Sequence, residues 1–432
     1  MGMSSEWQAV AQWKLYGQKE FTSKAFDVHA KQRARVARYL PDAIEGKTVV
    51  LAGAVVQGVG FEIARFAACA GARLYLLTSD AGGARAAAKL REICDLVRPQ
   101  SRGSQSILHV AVDLSVCADV ARAARLCLRH IGGVLDVLVC CTLDEEPPAA
   151  QREVSCEGVE VVFAKHLLAG RYLLTTLLLP ALRAAAQAGG RPRVVMVVSG
   201  ELYFTKFPSL RVAASEGDET YLPSRSYASA QRGQQLLIER LARDEPRVTF
   251  ACANPGWVAA GASDVPLGLE QTVGSTDLRT VEQGADGACW LIVAPAAQVR
   301  SGRLYLDRRE QPTHMAGAFF SPGWATKNTS SEIDDLVEGL RSRTATCMPR
   351  STSHEDVEFG VEDEADGGMV RRHEVGEERG EIRDAATQST LSGVRVGRGR
   401  GGHGGGTTTG GVPASHSRLL LRKYVEQWMC CV

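Results

Sequence analysis

The sequence lacks several features that would assign it to a special environment. Its 432 residues contain no run of about 18 uncharged apolar residues, so we expect no membrane-spanning helix. Neither sign of charge is in excess, because 50 Lys and Arg against 49 Asp and Glu give a net charge of +1, and we expect no nucleic-acid partner. The 12 cysteines have neither the spacing of a metal site nor that of a small disulfide framework, which predicts no metal. The N-terminus does not resemble a signal peptide, which predicts an intracellular, cytoplasmic protein with reduced thiols.

The chain does have enough apolar sequence for a large core. Hydrophobic residues make up 45% of it, which favours one α/β domain of about 250 to 300 residues with extensions. Composition indicates an N-terminal extension, a main domain, a charge-rich then glycine-rich tail that we expect to be disordered, and a short C-terminal helix: residues 1–46, 47–345, 346–416 and 417–432. The chain ends in Cys430, Cys431 and Val432. Acylation of these cysteines and an unmodified C-terminus are both compatible with this sequence.

The N-terminal extension has large apolar side chains among polar neighbours. Their spacing is compatible with an amphipathic helix and its continuation, and the members are Trp7, Val10, Trp13, Tyr16, Phe21 and Phe26. We expect this helix to pack onto the main domain. Peripheral contact with a membrane surface, or with a partner, is the alternative.

A glycine-rich turn follows the first apolar run of the main domain. Val49 to Leu51 has the β-branched, unbroken hydrophobicity of a strand buried on both faces, and residues 61–70 have a helical pattern. Gly53, Gly58 and Gly60 stand between them. Glycines there allow a tight turn and close approach of a pyrophosphate, whose charge is favoured by the N-terminus of the next helix. The pattern predicts a nucleotide-binding turn.

Strand-like and helical segments alternate after this turn. Alanine- and leucine-rich helical segments separate the strand-like runs, which cover residues 74–79, 106–115, 134–141, 193–200 and 247–256. This rhythm predicts a doubly wound parallel sheet with helices on both faces and ligands at the carboxyl ends of the strands. Tyr172 to Ala186 is interrupted by Pro180 and Arg183, and we expect it to be a buried helix of the domain.

The order of motifs resembles the short-chain dehydrogenase/reductase superfamily. It is carried by the glycine turn, by Ser199 after a strand, by Tyr227 opening a helix, and by the Asn254-Pro255-Gly256-Trp257 run. Within that superfamily the chain resembles the dehydrogenase/reductase family member 12 group, through its aromatic N-terminal extension and the Asp307-Arg308-Arg309 run. The resemblance covers roughly residues 6–342.

This resemblance implies a Rossmann-type domain that binds NAD or NADP and transfers hydride between the nicotinamide and a carbonyl or alcohol carbon. The family's catalytic tyrosine and serine match Tyr227 and Ser199. Its cofactor-binding positions match Gly53, Gly58, Val59, Gly60, Ser79, Asp113, Pro255 and Gly256. The resemblance implies an unknown small carbonyl or alcohol as substrate. It also implies that a homodimer could form through the helices after the fourth and fifth strands.

Two catalytic positions of the family are replaced. Gln231 stands where a lysine lowers the pKa of the tyrosine, and the asparagine position falls on His166, or on Leu167 if an extra residue near Ala169 is placed earlier. A free tyrosine has a pKa of about 10. A cation about 4 Å from a phenolate is worth roughly 4 kcal/mol at an effective dielectric near 20, so its loss predicts proton transfer slower by about a thousandfold at neutral pH.

The cofactor turn and its neighbour depart from the family as well. Four residues separate Gly53 from Gly58 where the family has three, and residues 140–143 read Cys-Cys-Thr-Leu where it has Asn-Asn-Ala-Gly. Cys140 and Cys141 fit packed thiols better than a redox pair, because adjacent cysteines strain a disulfide.

Other residues offer substitutes for the lost groups. His166 suits acid/base chemistry by its usual pKa, although a hydrogen-bonded core histidine is the more common case. Lys165 or Lys206 could supply a replacement ammonium, and Tyr203 fits a pocket wall. Two functions therefore stay open: an NAD(P)-dependent oxidoreductase with a rebuilt proton relay, and a catalytically inactive homologue that senses nucleotide or binds a partner.

Overall fold

The computed structural model describes most of the chain up to residue 347. The described residues are 5–29, 31, 33–34, 41–53, 58–97, 106–142, 149, 151–203, 205–216, 221–259, 277–315 and 321–347. The expected tail disorder, the C-terminal helix and the fate of Cys430 and Cys431 lie outside them and stay predictions. The boundaries between segments likewise remain expectations.

A single sheet of eight strands forms the centre of the described fold. The strands are β1 Thr48–Ala52, β2 Arg73–Thr78, β3 Ile107–Ala111, β4 Val137–Cys140, β5 Arg193–Val197, β6 Thr249–Ala253, β7 Arg303–Leu306 and β8 Arg309–Gln311. Their order is β3-β2-β1-β4-β5-β6-β7-β8, and only the β7–β8 pair is antiparallel. The strand order reverses between β1 and β4, where ligands bind in such sheets. The expected doubly wound sheet is confirmed.

Helices cover both faces of the sheet. They are α1 Ser5–Glu20, α2 Ser23–Val28, α3 Val59–Cys69, α4 Asp80–Val97, α5 Cys117–His130, α6 Val161–Gln187, α7 Leu210–Ala213, α8 Pro223–Asp244, α9 Val281–Val293 and α10 Ser330–Cys347. Short 3₁₀ turns lie at Pro41–Ile44, Gly200–Tyr203 and Ala296–Gln298. α3, α4 and α9 belong to one apolar core, and α5, α6 and α8 to the other.

Strand β1 shows how the sequence produces the two cores. Successive side chains of a strand point to opposite faces, so Val49 and Leu51 enter the core with α3 while Val50 and Ala52 enter the core with α6. All four are fully buried, which confirms the expected strand. The strand-like run at 106–115 is shorter than predicted, because the Asp113 carboxylate accepts the Ser115 N–H at 2.8 Å and turns the chain after β3.

The N-terminal extension packs onto the main domain, as predicted. Trp13 and Phe21 are buried, and their rings pack edge-on against Trp257 with centroids 6.2 and 5.7 Å away. Phe21 also stacks on Tyr203 at 6.2 Å. These four residues form what we call the aromatic wall, and it lies at the carboxyl ends of β5 and β6.

Helix α6 runs for 27 residues through the interior. By length and composition it could cross a membrane, but 78% of its most apolar window is buried inside the protein, which is typical of a core helix. Its middle, Ala164–Leu173, is π-helical. A π-helix pairs residues five apart rather than four, and such stretches occur frequently at functional sites.

Helix α10 lies across the face formed by α6 and α8. Leu336, Leu340 and Thr344 of α10 are buried, and Arg343 lies 6.0 Å above the ring of Phe163 at the start of α6. Helices α6 and α8 follow the fourth and fifth strands. They are the surface at which the superfamily resemblance indicated that a homodimer could form. The chain's own α10 already covers part of that surface, and oligomeric state stays a prediction.

Candidate active site

The candidate site lies where β4, β5 and β6 end. Thr142 follows β4, Ser199 follows β5 and Asn254 follows β6. The carboxyl ends of parallel strands share one edge of the sheet, so the three residues are neighbours in space. Helix α8 supplies Tyr227 and Gln231, one turn apart on the same helical face.

Ser199 is held by two side chains that carry oxygen acceptors. Its backbone N–H donates to Gln231 Oε1 at 2.9 Å, so the residue at the family's lysine position contacts the serine directly. Its hydroxyl donates to the Glu201 carboxyl group. Glu201 is buried, and burial raises its pKa while the Ser199 hydrogen bond works against that rise.

His166 and Tyr227 meet edge to face. Their ring centroids are 5.2 Å apart at an interplanar angle of 84°. His166 Nδ1 lies 3.0 Å from the Thr142 hydroxyl, and that hydroxyl accepts a bond from Arg171 Nη2 at 2.8 Å. An oxygen that accepts from a guanidinium can still donate its own proton to Nδ1. His166 is therefore a hydrogen-bonded core residue, as predicted, and also touches the proposed catalytic tyrosine.

The π-helical turn explains why two residues of α6 share Thr142. His166 and Arg171 are five residues apart, and a π-helix places residues with that separation one above the other. In an α-helix they would point in different directions. The local widening of α6 thus brings both side chains to the end of β4.

Arg171 begins a chain of hydrogen bonds between α6 and α8. Its Nε donates to Gln234 Oε1 at 3.0 Å, and Gln234 Nε2 donates to Gln231 Oε1 at 3.3 Å. Arg171 has no exposed surface, and the described acceptors of its guanidinium, including the Gly170 carbonyl, are all neutral. We call Thr142, His166, Arg171, Gln231 and Gln234 the polar seam. The buried positive charge of Arg171 lies inside the seam, between Thr142 and Gln234, and Gln231 at one end of the seam contacts Ser199.

Burial lowers the pKa of His166 well below its usual value, and Arg171 and Lys165 lower it further. His166 is therefore neutral at pH 7. A neutral imidazole accepts at one ring nitrogen and donates at the other, which suits positioning rather than charge stabilisation.

We expect acid to destabilise the protein through His166. The unfolded chain takes up a proton near the ordinary histidine pKa of about 6.5, whereas folded His166 stays neutral, so the free energy of unfolding falls as the pH drops below that value toward the lowered folded pKa. Replacement of His166 with Asn should flatten this dependence between about pH 6.5 and 5. Urea unfolding at both pH values measures it. The exposed His130→Asn serves as the control, and equal slopes in wild type and His166→Asn would contradict the expectation.

The predicted cofactor residues fall into a buried and an exposed group. The buried ones lie at the end of β1, at the start of α3 and after β6, namely Gly53, Gly58, Val59, Gly60 and Pro255, with Gly256 half-buried. Ser79 and Asp113 are exposed at the ends of β2 and β3. The turn residues 54–57, in which the sequence predicts the insertion, lie outside the described chain. α3 begins at Val59, two residues earlier than the sequence pattern indicated, with Gly58 as its N-cap.

Two buried amide groups at this edge fit a ligand that carries hydroxyl acceptors. Within the described part of the chain, Gln231 Nε2 and Asn254 Nδ2 are buried without a hydrogen-bond partner, although the oxygens of both side chains are bonded. Unsatisfied buried donors are costly, and they are often completed by a ligand or water. The ribose of a nicotinamide nucleotide carries such hydroxyl groups, so these residues fit the implied cofactor at the sugar.

The aromatic wall closes one side of the site. A Cβ atom at Gly200, next to Ser199, would lie only 2.7 Å from the Phe21 ring and 2.9 Å from Trp13 Nε1. The Phe21 carbonyl accepts the Trp257 N–H at 2.9 Å, directly after Gly256. The extension thus contributes surface beside Ser199 and Gly256, a role that the sequence did not reveal.

The other candidates take different positions. Cys140 and Cys141 are buried thiols that form no disulfide with any described cysteine, and burial raises the pKa of Cys140. Lys206 pairs with Glu332 at 2.6 Å, whereas Lys165 lies close enough to His166 to lower its pKa. Tyr203 belongs to the aromatic wall, and burial raises its pKa well above the usual value.

Sequence reasoning missed the roles of Glu201, Arg171 and Gln234. Arg171 left a signal, because it is an isolated arginine in a long apolar segment, and such a residue needs buried partners. Gln234 lies seven residues after Tyr227, on the same face of α8, but this spacing alone does not name a partner.

Comparisons with known proteins find relatives in sequence and in structure. No protein-family model matches the chain. It is 30% identical to bovine (Bos taurus) dehydrogenase/reductase SDR family member 12 over 344 residues, which cover 76% of this chain and 96% of the relative. It is also similar to the Homo sapiens protein of the same name, 29% identical over 77% of this chain and 97% of the relative. Mus musculus polyprenol dehydrogenase is 30% identical over 61% of this chain and 77% of its own length.

Solved structures with a similar arrangement include the 3-ketoacyl-(acyl-carrier-protein) reductase from Brucella melitensis complexed with NADH. It has a TM-score of 0.45 and 21% identity, and the match covers 61% of this chain and 96% of that one. A hydroxysteroid dehydrogenase from Escherichia coli has a TM-score of 0.43 and 17% identity, covering 62% of this chain and 97% of that one.

Proposed function

The chain belongs to the short-chain dehydrogenase/reductase superfamily, and from this premise we propose that it is an NAD(P)-dependent oxidoreductase with a rebuilt proton relay. The observation that carries the proposal is the hydrogen bond from the Ser199 backbone to Gln231. It fixes the face of α8 that bears Tyr227 against the end of β5, where the superfamily's tyrosine and serine act together. His166 packs on the Tyr227 ring from α6 and holds its orientation.

In this proposal the chain's own residues move one proton and hold one oxygen. Tyr227 passes a proton to or from the substrate oxygen, and the Ser199 hydroxyl holds that oxygen, for which it exchanges its bond to Glu201. Gln231 and Asn254 would hold ribose hydroxyls of the cofactor through amide groups that have no partner among the described residues. The bound nicotinamide supplies the hydride acceptor or donor.

The polar seam supports Gln231 in place of a lysine. The donors point away from the Arg171 charge: the Arg171 guanidinium donates to Gln234, and the Gln234 amide donates to Gln231. Hydrogen bonds in such a chain polarise one another in a low-dielectric interior. The Gln231 amide therefore presents a strengthened donor at the lysine position, while the full charge stays deeper between α6 and α8.

We propose a lipophilic alcohol as the first substrate class to test. The murine relative is named a polyprenol dehydrogenase, and the aromatic wall gives this site an apolar side next to Ser199. A long-chain polyprenol and its aldehyde are therefore the first pair to assay.

Cofactor binding is the decisive experiment for the proposed function. Full-length protein is titrated separately with NADH and NADPH, and nicotinamide fluorescence and thermal stability are followed. Saturable binding, with bound ligand raising the unfolding temperature, is the expected result. If folded protein binds neither nucleotide at millimolar concentration, the proposed oxidoreductase function is refuted. The second function, a catalytically inactive homologue, would then be favoured. One observation favours that second function, namely the neutral Gln231 at the lysine position.

Replacement of Gln231 with lysine should raise alcohol oxidation at pH 7 by roughly ten- to a hundredfold. A cation there would favour the phenolate form of a nearby tyrosine. The gain stays below the full Coulomb effect because lysine cannot accept the Ser199 and Gln234 N–H groups that Gln231 accepts. Steady-state oxidation rates measure the change. Gln231→Met, which removes the polar group without adding charge, is the matched control and should be slower than wild type. A lysine variant no faster than wild type would contradict the expectation.

A further inference from the structure

Three segments far apart in sequence bring metal-ligating atoms together away from the candidate active site. Cys117 begins α5, Glu157 lies in the turn before α6, and Cys347 ends α10. The two sulfur atoms and a Glu157 carboxylate oxygen all lie within 4.8 Å of one another. Cys117 and Cys347 are 230 positions apart, so no cysteine spacing could have indicated this cluster.

Hydrogen bonds hold the Glu157 and Cys117 sides of the cluster in place. The Glu157 carboxylate accepts the backbone N–H groups of Cys117 and Ala118 at 2.7 and 2.8 Å, which fixes it over the first turn of α5. The turn itself is closed by bonds between Ser155 and Val159 and between Gly158 and Ser155. Cys117 is fully buried and Cys347 partly buried.

From this geometry we infer that Cys117, Glu157 and Cys347 form a Zn²⁺ site. Thiolate sulfurs bound to one tetrahedral zinc lie about 3.8 Å apart, given Zn–S bonds of about 2.3 Å. The present separations reach that value with sulfur movements of about 1 Å or less. Two thiolates and one carboxylate are a zinc donor set, and water completes four-coordination.

The charges of the surroundings suit a dication. Binding replaces the two thiol protons, which leave to solvent, so that two thiolates and one carboxylate surround Zn²⁺ with a net charge of −1. The positive N-terminal end of α5 offsets part of this excess. Arg343, one turn before Cys347 on α10, also lies nearby, but its guanidinium is already paired with the Glu216 carboxylate.

The consequence of the site is mechanical. It would tie the last described residue of α10 to α5 and to the turn before α6, and α10 in turn covers α6 and α8. Zinc would therefore hold α10 on the helices that carry the polar seam. This role does not depend on the proposed oxidoreductase activity.

Co²⁺ titration of the full chain tests the site. Reduced protein stripped with a chelator is titrated with Co²⁺, and we expect one equivalent to produce the thiolate-to-cobalt charge-transfer and tetrahedral ligand-field bands, which Zn²⁺ then abolishes. Cys117→Ser and Cys347→Ser should each weaken Zn²⁺ binding by more than about a hundredfold, beyond the loss that an outer-shell partner causes. Cys69→Ser, a thiol on α3 outside the cluster, should leave the bands unchanged.

Several outcomes would overturn the site. These are the absence of thiolate bands in folded wild-type protein, bands that survive in both serine variants, and a Cys117–Cys347 disulfide that persists in reductant. If Cys117→Ser fails to fold because that side chain is buried, Cys347→Ser at the partly exposed helix end decides the question. As a second readout, chelation of zinc-loaded protein should speed proteolysis within residues 330–347, and an unchanged cleavage rate would contradict the mechanical role.

Discussion

Replacement of Tyr227 with phenylalanine should lower the turnover number by about 10²- to 10⁴-fold, the usual contribution of a positioned proton donor or acceptor. The phenylalanine ring can keep the edge-to-face contact with His166, so the fold and the seam stay intact. KM should change little, because the hydroxyl acts on the substrate oxygen in the transition state. Steady-state kinetics of wild type and Tyr227→Phe measure the change, with the substrate identified in the alcohol assays.

A second tyrosine, Tyr221, lies just before the start of α8 and provides the control. Tyr221 donates to Glu160 at 3.2 Å, away from the polar seam, and Tyr221→Phe should retain turnover within about threefold. A Tyr227→Phe variant that keeps turnover within about tenfold of wild type, a change of about 1.4 kcal/mol, would remove Tyr227 from the proton relay.

Replacement of Asp307 with asparagine should lower the free energy of unfolding by about 3–5 kcal/mol. Asp307 and Arg279 are both almost fully buried, and the guanidinium meets the carboxylate through two bonds of 2.6 and 3.0 Å. Burial alone would raise the pKa of Asp307, but Arg279 and His29 lower it below its usual value, so the pair stays charged at neutral pH. The variant leaves the buried guanidinium without its counter-charge, and denaturant unfolding measures the loss.

The choice of asparagine separates charge from backbone conformation. Asp307 and Arg308 form the turn between β7 and β8 with φ of 51° and 61°, and asparagine tolerates that left-handed region as aspartate does. The double variant Arg279→Met with Asp307→Asn removes both charges and should be more stable than Asp307→Asn alone. Glu310→Gln, which breaks an exposed pair with Arg300, should cost less than about 1 kcal/mol. An Asp307→Asn variant that loses no more stability than Glu310→Gln would refute this account.

Arg279 also explains how the N-terminal extension is attached. Its guanidinium donates to the Phe21 and Glu20 carbonyls at 2.8 Å, in addition to the Asp307 carboxylate. One cation therefore joins the extension, the segment after β6 and the β7–β8 turn. Loss of Asp307 should loosen the extension as well, and faster proteolysis within residues 5–29 would accompany the loss of stability.

Local patterns in the sequence were sufficient for the sheet and for the packing of the extension. β1 was predictable because an unbroken β-branched run reports burial on both faces, and Val49 to Leu51 is such a run. The amphipathic spacing around Trp13 and Phe21 indicated a packed helix for a similar reason. These features depend on neighbours within a few residues.

Features that depend on residues distant in sequence could not be predicted from local patterns. Arg171 reaches Thr142 and Gln234 only because α6 is π-helical there, and helix periodicity assumes the ordinary pitch. The Cys117 and Cys347 cluster needs the folding of α10 onto α5. Glu201 acquires its role from the 3₁₀ turn after β5, which sequence composition does not encode.

The π-helical stretch of α6 has a consequence for how this chain can accommodate change in length. One residue added to an ordinary α-helix rotates everything beyond it by about 100°, since a turn contains 3.6 residues. That rotation would swing Leu178 and Leu182, both fully buried, out of the core. A wide turn takes up an added residue locally and returns the following segment to its former orientation. We therefore expect the π-helical stretch beside His166 to absorb a one-residue insertion or deletion, so that the apolar face of α6 keeps its register and the effect is confined to the site.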